Sequence, residues 1–191
     1  HNLGVVPGMI ITKSLSSNYN WAVHHKGHSF AGGQGDGMLN TADPFNYGFV
    51  TATSDTNFTL NASAATNKLN EEYVAYVFAH DDSDESMIKC GSYTGNGNAV
   101  GPTVNIGFEP QWVMIKSSSH LSNWIMLDNM RGVVTGGIDQ DLYANINFRE
   151  NPNLDFLEFT ETGFIPKNNT SDVNGSNTDY IYVLINSNIF I

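Results

Sequence analysis

"GFEPQWVMIKSSSHLSNW" (107–124) repeats, without a gap, "GVVPGMIITKSLSSNYNW" (4–21) at an offset of 103. Identities fall at Gly4/Gly107, Pro7/Pro110, Lys13/Lys116, Ser14/Ser117, Ser16/Ser119, Asn20/Asn123 and Trp21/Trp124. Each copy reads as a Gly-x-x-Pro turn, an apolar strand, a Ser-rich turn and a second strand opening at Asn-Trp. A strand pair written twice predicts a β protein made of two similar halves.

The rest of the chain follows the same plan. "YGFVTAT" (47–53), "NFTL" (57–60) and "YVAYVFAH" (73–80) are short, β-branched or aromatic, and bounded by turn residues. "LDFLEFT" (154–160), "GFIP" (163–166) and "YIYVLIN" (180–186) answer them in the second half. Phe58 matches Phe164 and Tyr73 matches Tyr180 at offsets of 106 and 107, so the drift reflects small loop insertions. "YVAYVFA" and "YIYVLIN" are apolar throughout, which places both as central strands covered on two faces. "LDFLEFT" reads as one strand, with a bulge. Helical signals are confined to a turn in "NKLNEEY" (67–73) and a short segment near Asp139–Ala144. The predicted fold is all-β: an antiparallel β-sandwich, jelly-roll-like, built from two pseudo-symmetric repeats. Repeat 1 covers about 1–88 and repeat 2 about 89–191, in one domain with a shared core. "KCGSYTGNGNAVGPTVNIGF" (89–108) joins them as a hairpin or crossover.

Composition narrows the function. Of 191 residues, 8 are Lys or Arg and 19 Asp or Glu, a net charge of −11. That balance argues against phosphate-backbone binding and against anionic membrane surfaces. No apolar run approaches a transmembrane helix, so no membrane insertion is expected. Cys90 is the single cysteine, which excludes an internal disulfide. His1 is not an initiator residue, and the chain is expected to be the C-terminal part of a longer one.

"CGSYTGNGNAVGPTVNIGFEPQWVMIK" with "NWIMLDNMRG", "GVVPGMIITK…NWAVHH" upstream and "TDYIYVLIN" at the close resembles a two-repeat β-domain of bacteriophage structural proteins. That domain is common in marine and cyanobacterial phages, usually at the end of tail fibres or related appendages. The resemblance implies a virion location and a role in attachment or structure, and it transfers no catalytic motif. In that family a strand and turn like "GSYTGNG" precede the first half, which here would lie upstream of His1. The loop "HHKGHSFAGGQGDGM" (24–38) and the acidic "HDDSDES" (80–86) depart from the pattern.

Few residues point to chemistry. His24, His25 and His28 cluster, but adjacent strand residues face opposite ways, so solvated loop histidines are favoured over a metal site. Asp81, Asp82 and Asp84 echo the first part of a calcium loop without its invariant Gly or bidentate Glu; they are the positions calcium would take, and a solvated acidic loop is favoured. "GGQGDG" (32–37) lacks the context of a phosphate-binding loop and reads as flexible. Cys90 has no base placed beside it. Trp21, Trp124 and Trp112 fit sugar stacking, but the first two occupy equivalent strand positions and read as core. The loops 26–46 and 129–153 are the better contact surfaces.

The expectation is therefore a non-enzymatic virion protein without a cofactor, the distal domain of a tail fibre that adheres to a host-surface glycan or protein. Homotrimers and contacts with other virion proteins are expected, and nucleic acid is not. The alternatives are a capsid decoration or head fibre protein, and a polysaccharide-degrading tail domain.

Overall fold

Short β-branched runs separated by Gly, Asn and Ser cannot sustain helices, and every regular element in the described residues is a strand. The computed structural model describes residues 1–28, 35–83, 86–133 and 136–186, and only the backbone of 151–153. The first half forms β1 (Pro7–Ser14), β2 (Ala22–His25), β3 (Asp36–Met38), β4 (Val50–Thr53), β5 (Phe58–Leu60) and β6 (Tyr73–Ala79). The second forms β7 (Ile88–Thr94), β8 (Val104–Asn105), β9 (Pro110–Ser117), β10 (Ile125–Asp128) and β11 (Asp139–Tyr143). It continues with β12 (Asn151–Leu154), β13 (Leu157–Thr160), β14 (Gly163–Pro166) and β15 (Asp179–Asn186).

A front sheet runs β3-β2-β1-β6 and a central sheet runs β12-β11-β10-β9-β15-β7. A three-stranded sheet, β13-β14-β8, and the hairpin β4-β5 complete the antiparallel sandwich. The pairing registers of the two halves coincide at the aligned positions. Thr12 lies opposite Ala22 in the first and Ile115 opposite Ile125 in the second. Ser14 lies opposite Tyr73, and Ser117 opposite Tyr180.

The repeated residues earn their places in these turns. Gly4 and Gly107 have φ of +71° and +90°, a region that suits glycine. Lys13 Nζ donates to Tyr19 O at 2.8 Å, and Lys116 Nζ donates to Ser117 O at 2.6 Å, so each lysine gathers the carbonyls of its own turn. The N–H of Trp21 bonds Asn40 Oδ1 and that of Trp124 bonds Asn145 Oδ1, both at 2.9 Å. Asp36 Oδ2 accepts the N–H groups of Phe49 and Val50; Asp139 Oδ2 accepts those of Phe156 and Leu157. A buried carboxylate is tolerated because it answers two amide donors at once.

The two sheets meet through corresponding faces. Met9, Ile11 and Val23 of the front sheet pack on Met114, Trp124, Ile181 and Val183 of the central one. Polar pins cross the seam, among them Trp124 Nε1 to Met38 O, His25 Nε2 to Tyr182 O, and Lys116 Nζ to Ala42 O. The far face of the central sheet is buried under Phe156, Leu157, Phe164 and Val173. Each such side chain contributes about 1.5–3 kcal/mol by leaving water.

Four expectations change. β15 is central and buried as expected, but β6 is the edge of the front sheet and half-exposed, because no strand among the described residues lies beyond it. The segment near Asp139–Ala144 is β11, its Asp139 fixed by the strand that follows, and not a helix. Residues 67–73 form turns, with Asn70 at φ 63°, and enter β6 without a helix. "LDFLEFT" is two strands, since the Phe156 and Leu157 amides turn inward to Asp139 and break the run. The "GGQGDG" stretch ends in β3, where Asp36 is 1% exposed; residues 32–34 lie outside the described residues.

Candidate functional site

The described residues include two surface recesses of ligand size. The smaller, about 500 Å³, is built from β11 and the loop after it and is lined by Asp141, Tyr143, Asn147, Phe148 and Arg149. β11 ends at Tyr143, and the loop then projects Asn147, Phe148 and Arg149 into solvent. Phe148 is 68% exposed, an unusual position for a phenyl ring unless something stacks on it. Asp141 is buried and anchors the floor. Burial and the neighbouring Asp141 carboxylate push the Tyr143 hydroxyl well above its ordinary range, so it is a neutral donor at physiological pH. Aromatic rings beside amide, carboxylate and guanidinium groups can hold a polar ligand with an apolar face, as a sugar ring has.

The larger groove, about 770 Å³, lies where β7 and β15 meet the turns after β2 and β6. It is lined by Lys26, His80, Asp82, Lys89, Cys90 and Tyr182, among others. Most of its polar groups are committed to the framework. Lys89 Nζ donates to Ile106 O at 2.6 Å and sits 5.7 Å over the Phe108 ring. His80 Nδ1 accepts the Cys90 N–H at 3.1 Å, and Nε2 donates to Asp82 Oδ1 at 2.8 Å. Both ring nitrogens are therefore used within the framework. Burial pushes the Cys90 thiol up to about 12 and the Tyr182 hydroxyl to about 12, so neither is a nucleophile at neutral pH.

The residues singled out in the sequence scatter. His25 is buried, its Nδ1 accepting the Gly27 N–H at 3.0 Å; burial lowers its pKa to about 3. His24 pairs with Asp36 at 2.6 Å, and His28 stands edge-on to Phe45. The three do not converge, and the described residues hold no group of three or more His, Cys, Asp or Glu side chains placed for a metal. Asp81 folds back on Ser83 through both oxygens, while Asp82 turns to His80. Asp84 lies outside the described residues. Trp124 is 1% exposed between the sheets; Trp112 and Trp21 are partly buried against the same cluster. Trp21 stacks on Tyr76 at the front sheet's edge. Of the two loops favoured for contacts, 129–153 supplies the recess and 26–46 supplies Lys26 and Gly27 of the groove. Phe148 was the missed residue: a lone aromatic in a polar loop, "NINFREN" (145–151), was its signal.

Fold and recesses together define an antiparallel β-sandwich domain whose irregular loops carry its surface recesses. The chain belongs to the family described as "Domain of unknown function (DUF7483)", whose model matches residues 1–188. No curated protein and no solved structure matches it.

Proposed function

We propose that this is a non-enzymatic adhesion domain of a bacteriophage virion, the distal part of a tail fibre or similar appendage, and that it holds a host-surface glycan at the Tyr143–Phe148 recess. The observation that carries this reading is Phe148, exposed beside Tyr143 with Asn147 and Arg149 projecting from the same loop. The likeness to phage structural domains supports that location. The net charge of −11 turns recognition toward contact-range stacking and hydrogen bonding. Such a shallow site binds weakly, and copies presented together on a virion raise avidity through effective concentration.

The test is an array of bacterial surface glycans probed with the purified domain. Binding that falls by about two- to tenfold in Phe148→Ala, with an unchanged melting temperature, supports the reading; aromatic stacking contributes about 0.5–1.5 kcal/mol. Binding untouched by Phe148→Ala, or no binding to any glycan, overturns the recess assignment. Reducing ends released from the same glycans would make the chain a polysaccharide-degrading domain instead. A virion reconstruction with the domain on the head would favour the capsid decoration reading.

A further inference from the structure

We propose that the groove beyond the edge of β7 is a second binding site, and that it takes the carboxylate of an acidic saccharide on Lys89 Nζ and the Tyr182 hydroxyl. The site is separate from the Tyr143–Phe148 recess and shares no lining residue with it.

Two buried groups in this groove lack the partners that burial demands. Lys89 is 8% exposed, and its ammonium has three protons to donate. One goes to Ile106 O, and no carboxylate pairs with the charge among the described residues. Tyr182 is also 8% exposed. Its backbone O accepts from His25, but its hydroxyl has no hydrogen-bond partner among the described residues. Native folds pair nearly all such groups, and here both line one groove.

The strand geometry brings them together. Tyr182 lies opposite Gly91 in the β15–β7 ladder, and Leu184 opposite Lys89. Lys89 and Gly91 are two apart, so their side-chain positions share one face of β7. A Cβ on Gly91 would stand 2.3 Å from the Tyr182 hydroxyl oxygen, so glycine there is what lets the phenol reach across β7. The outer edge of β7 adds a backbone donor. Cys90 N–H points away from β15 to His80 Nδ1, and alternation turns the Ser92 N–H the same way, into the groove that Ser92 lines. Ammonium, phenol and amide are all donors, so the group that answers them is an acceptor.

The local charge selects the kind of acceptor. Lys26, exposed on the rim, and Lys89 outnumber Asp82, the one carboxylate among the lining residues. That balance suits a monoanion and disfavours a dianionic phosphate. The net charge of −11 opposes any anion from a distance, but at physiological ionic strength it is screened beyond about 8 Å. The groove, about 770 Å³, is far larger than a lone carboxylate and has the size of sites that hold ligands of several rings. Asp82, whose side chain is 91% exposed, can accept from the hydroxyls of a sugar.

A nitrogen-15 NMR titration of the purified chain with a galacturonic acid trisaccharide, and with its neutral galactose counterpart, provides the test. The acid should shift the Lys89, Gly91 and Ser92 amides saturably, and the neutral sugar should bind at least about tenfold more weakly. Tyr182→Phe removes only the hydroxyl, so it should weaken binding of the acid at least about tenfold and melt no lower than the parent. Lys89→Met keeps the stem beside Phe108 and should weaken binding as much. Phe148→Ala should leave this binding unchanged, which separates the groove from the recess. No binding of the acid, a neutral sugar bound as tightly, acetate bound as tightly, or full affinity in Tyr182→Phe overturns the proposal. A Tyr182→Phe variant that melts well below the parent overturns it too, because the hydroxyl would then have its partner inside the fold.

Discussion

The two halves share strand order and register, yet their outer faces differ in depth. Behind the central sheet, Phe164, Tyr180, Leu157 and Val173 are fully buried. At the corresponding positions of the first half, Phe58 and Tyr73 are half-exposed, and only Ala22, Met38, Phe49 and Ala65 form a small buried cluster. The difference comes from segments outside the repeated stretch. β7 brings Tyr93, which stacks on Tyr180 at 5.0 Å and packs edge-on to Phe164, and the crossover to β9 brings Val104, Ile106 and Phe108. Matching registers therefore do not bring equal burial to both halves; the added layer does.

Truncating equivalent aromatics breaks this comparison most sharply. Phe164→Ala should cost about 3–5 kcal/mol and Phe58→Ala under about 1 kcal/mol, read from denaturant midpoints. Equal costs would mean that the first half's outer face is as tightly packed as the second's. The tryptophans ask the same question of the inner seam. Trp124→Phe loses the bond to Met38 O and buried volume, about 2 kcal/mol, whereas Trp21→Phe at the half-exposed edge should cost about 0.5 kcal/mol.

The third contrast is electrostatic. His25 occupies the place of Asp128, which is paired to Arg131 at 2.5 Å. His25 is neutral in the fold, with its pKa lowered from 6.5 to about 3 by burial. Above pH 6.5 neither folded nor unfolded chain is protonated there, and its contribution is complete. As pH falls below 6.5 the unfolded chain takes up a proton that the folded chain refuses, so stability drops by about 1.4 kcal/mol per pH unit toward pH 3. Chemical denaturation between pH 7 and pH 5 should show this slope in the parent and lose it in His25→Gln. A slope that survives the substitution would assign the acid sensitivity elsewhere.

Much of the fold was legible because the repeated positions are structural ones: Gly4, Lys13, Ser14 and Trp21 and their counterparts define turns and strand starts by local rules. What stayed hidden was long-range. An apolar "YVAYVFA" reads the same at an edge as in the middle of a sheet, since only the neighbouring strand decides its cover. Asp36 and Asp139 looked like loop residues, because their amide donors lie 13 to 18 positions away. At the candidate site the loop 129–153 was legible from its irregularity. The grouping of Asp141 with Phe148 was not, since it depends on how that loop turns back beyond β11.

Cys90 gives this architecture a built-in clock. Its thiol is 2% exposed, and a Cβ placed on Gly8 of β1 would stand 2.7 Å from its sulfur. A thiol reagent can reach it only when β7 and β1 part, so the rate at which Ellman's reagent labels the single cysteine reports how often the two halves come apart.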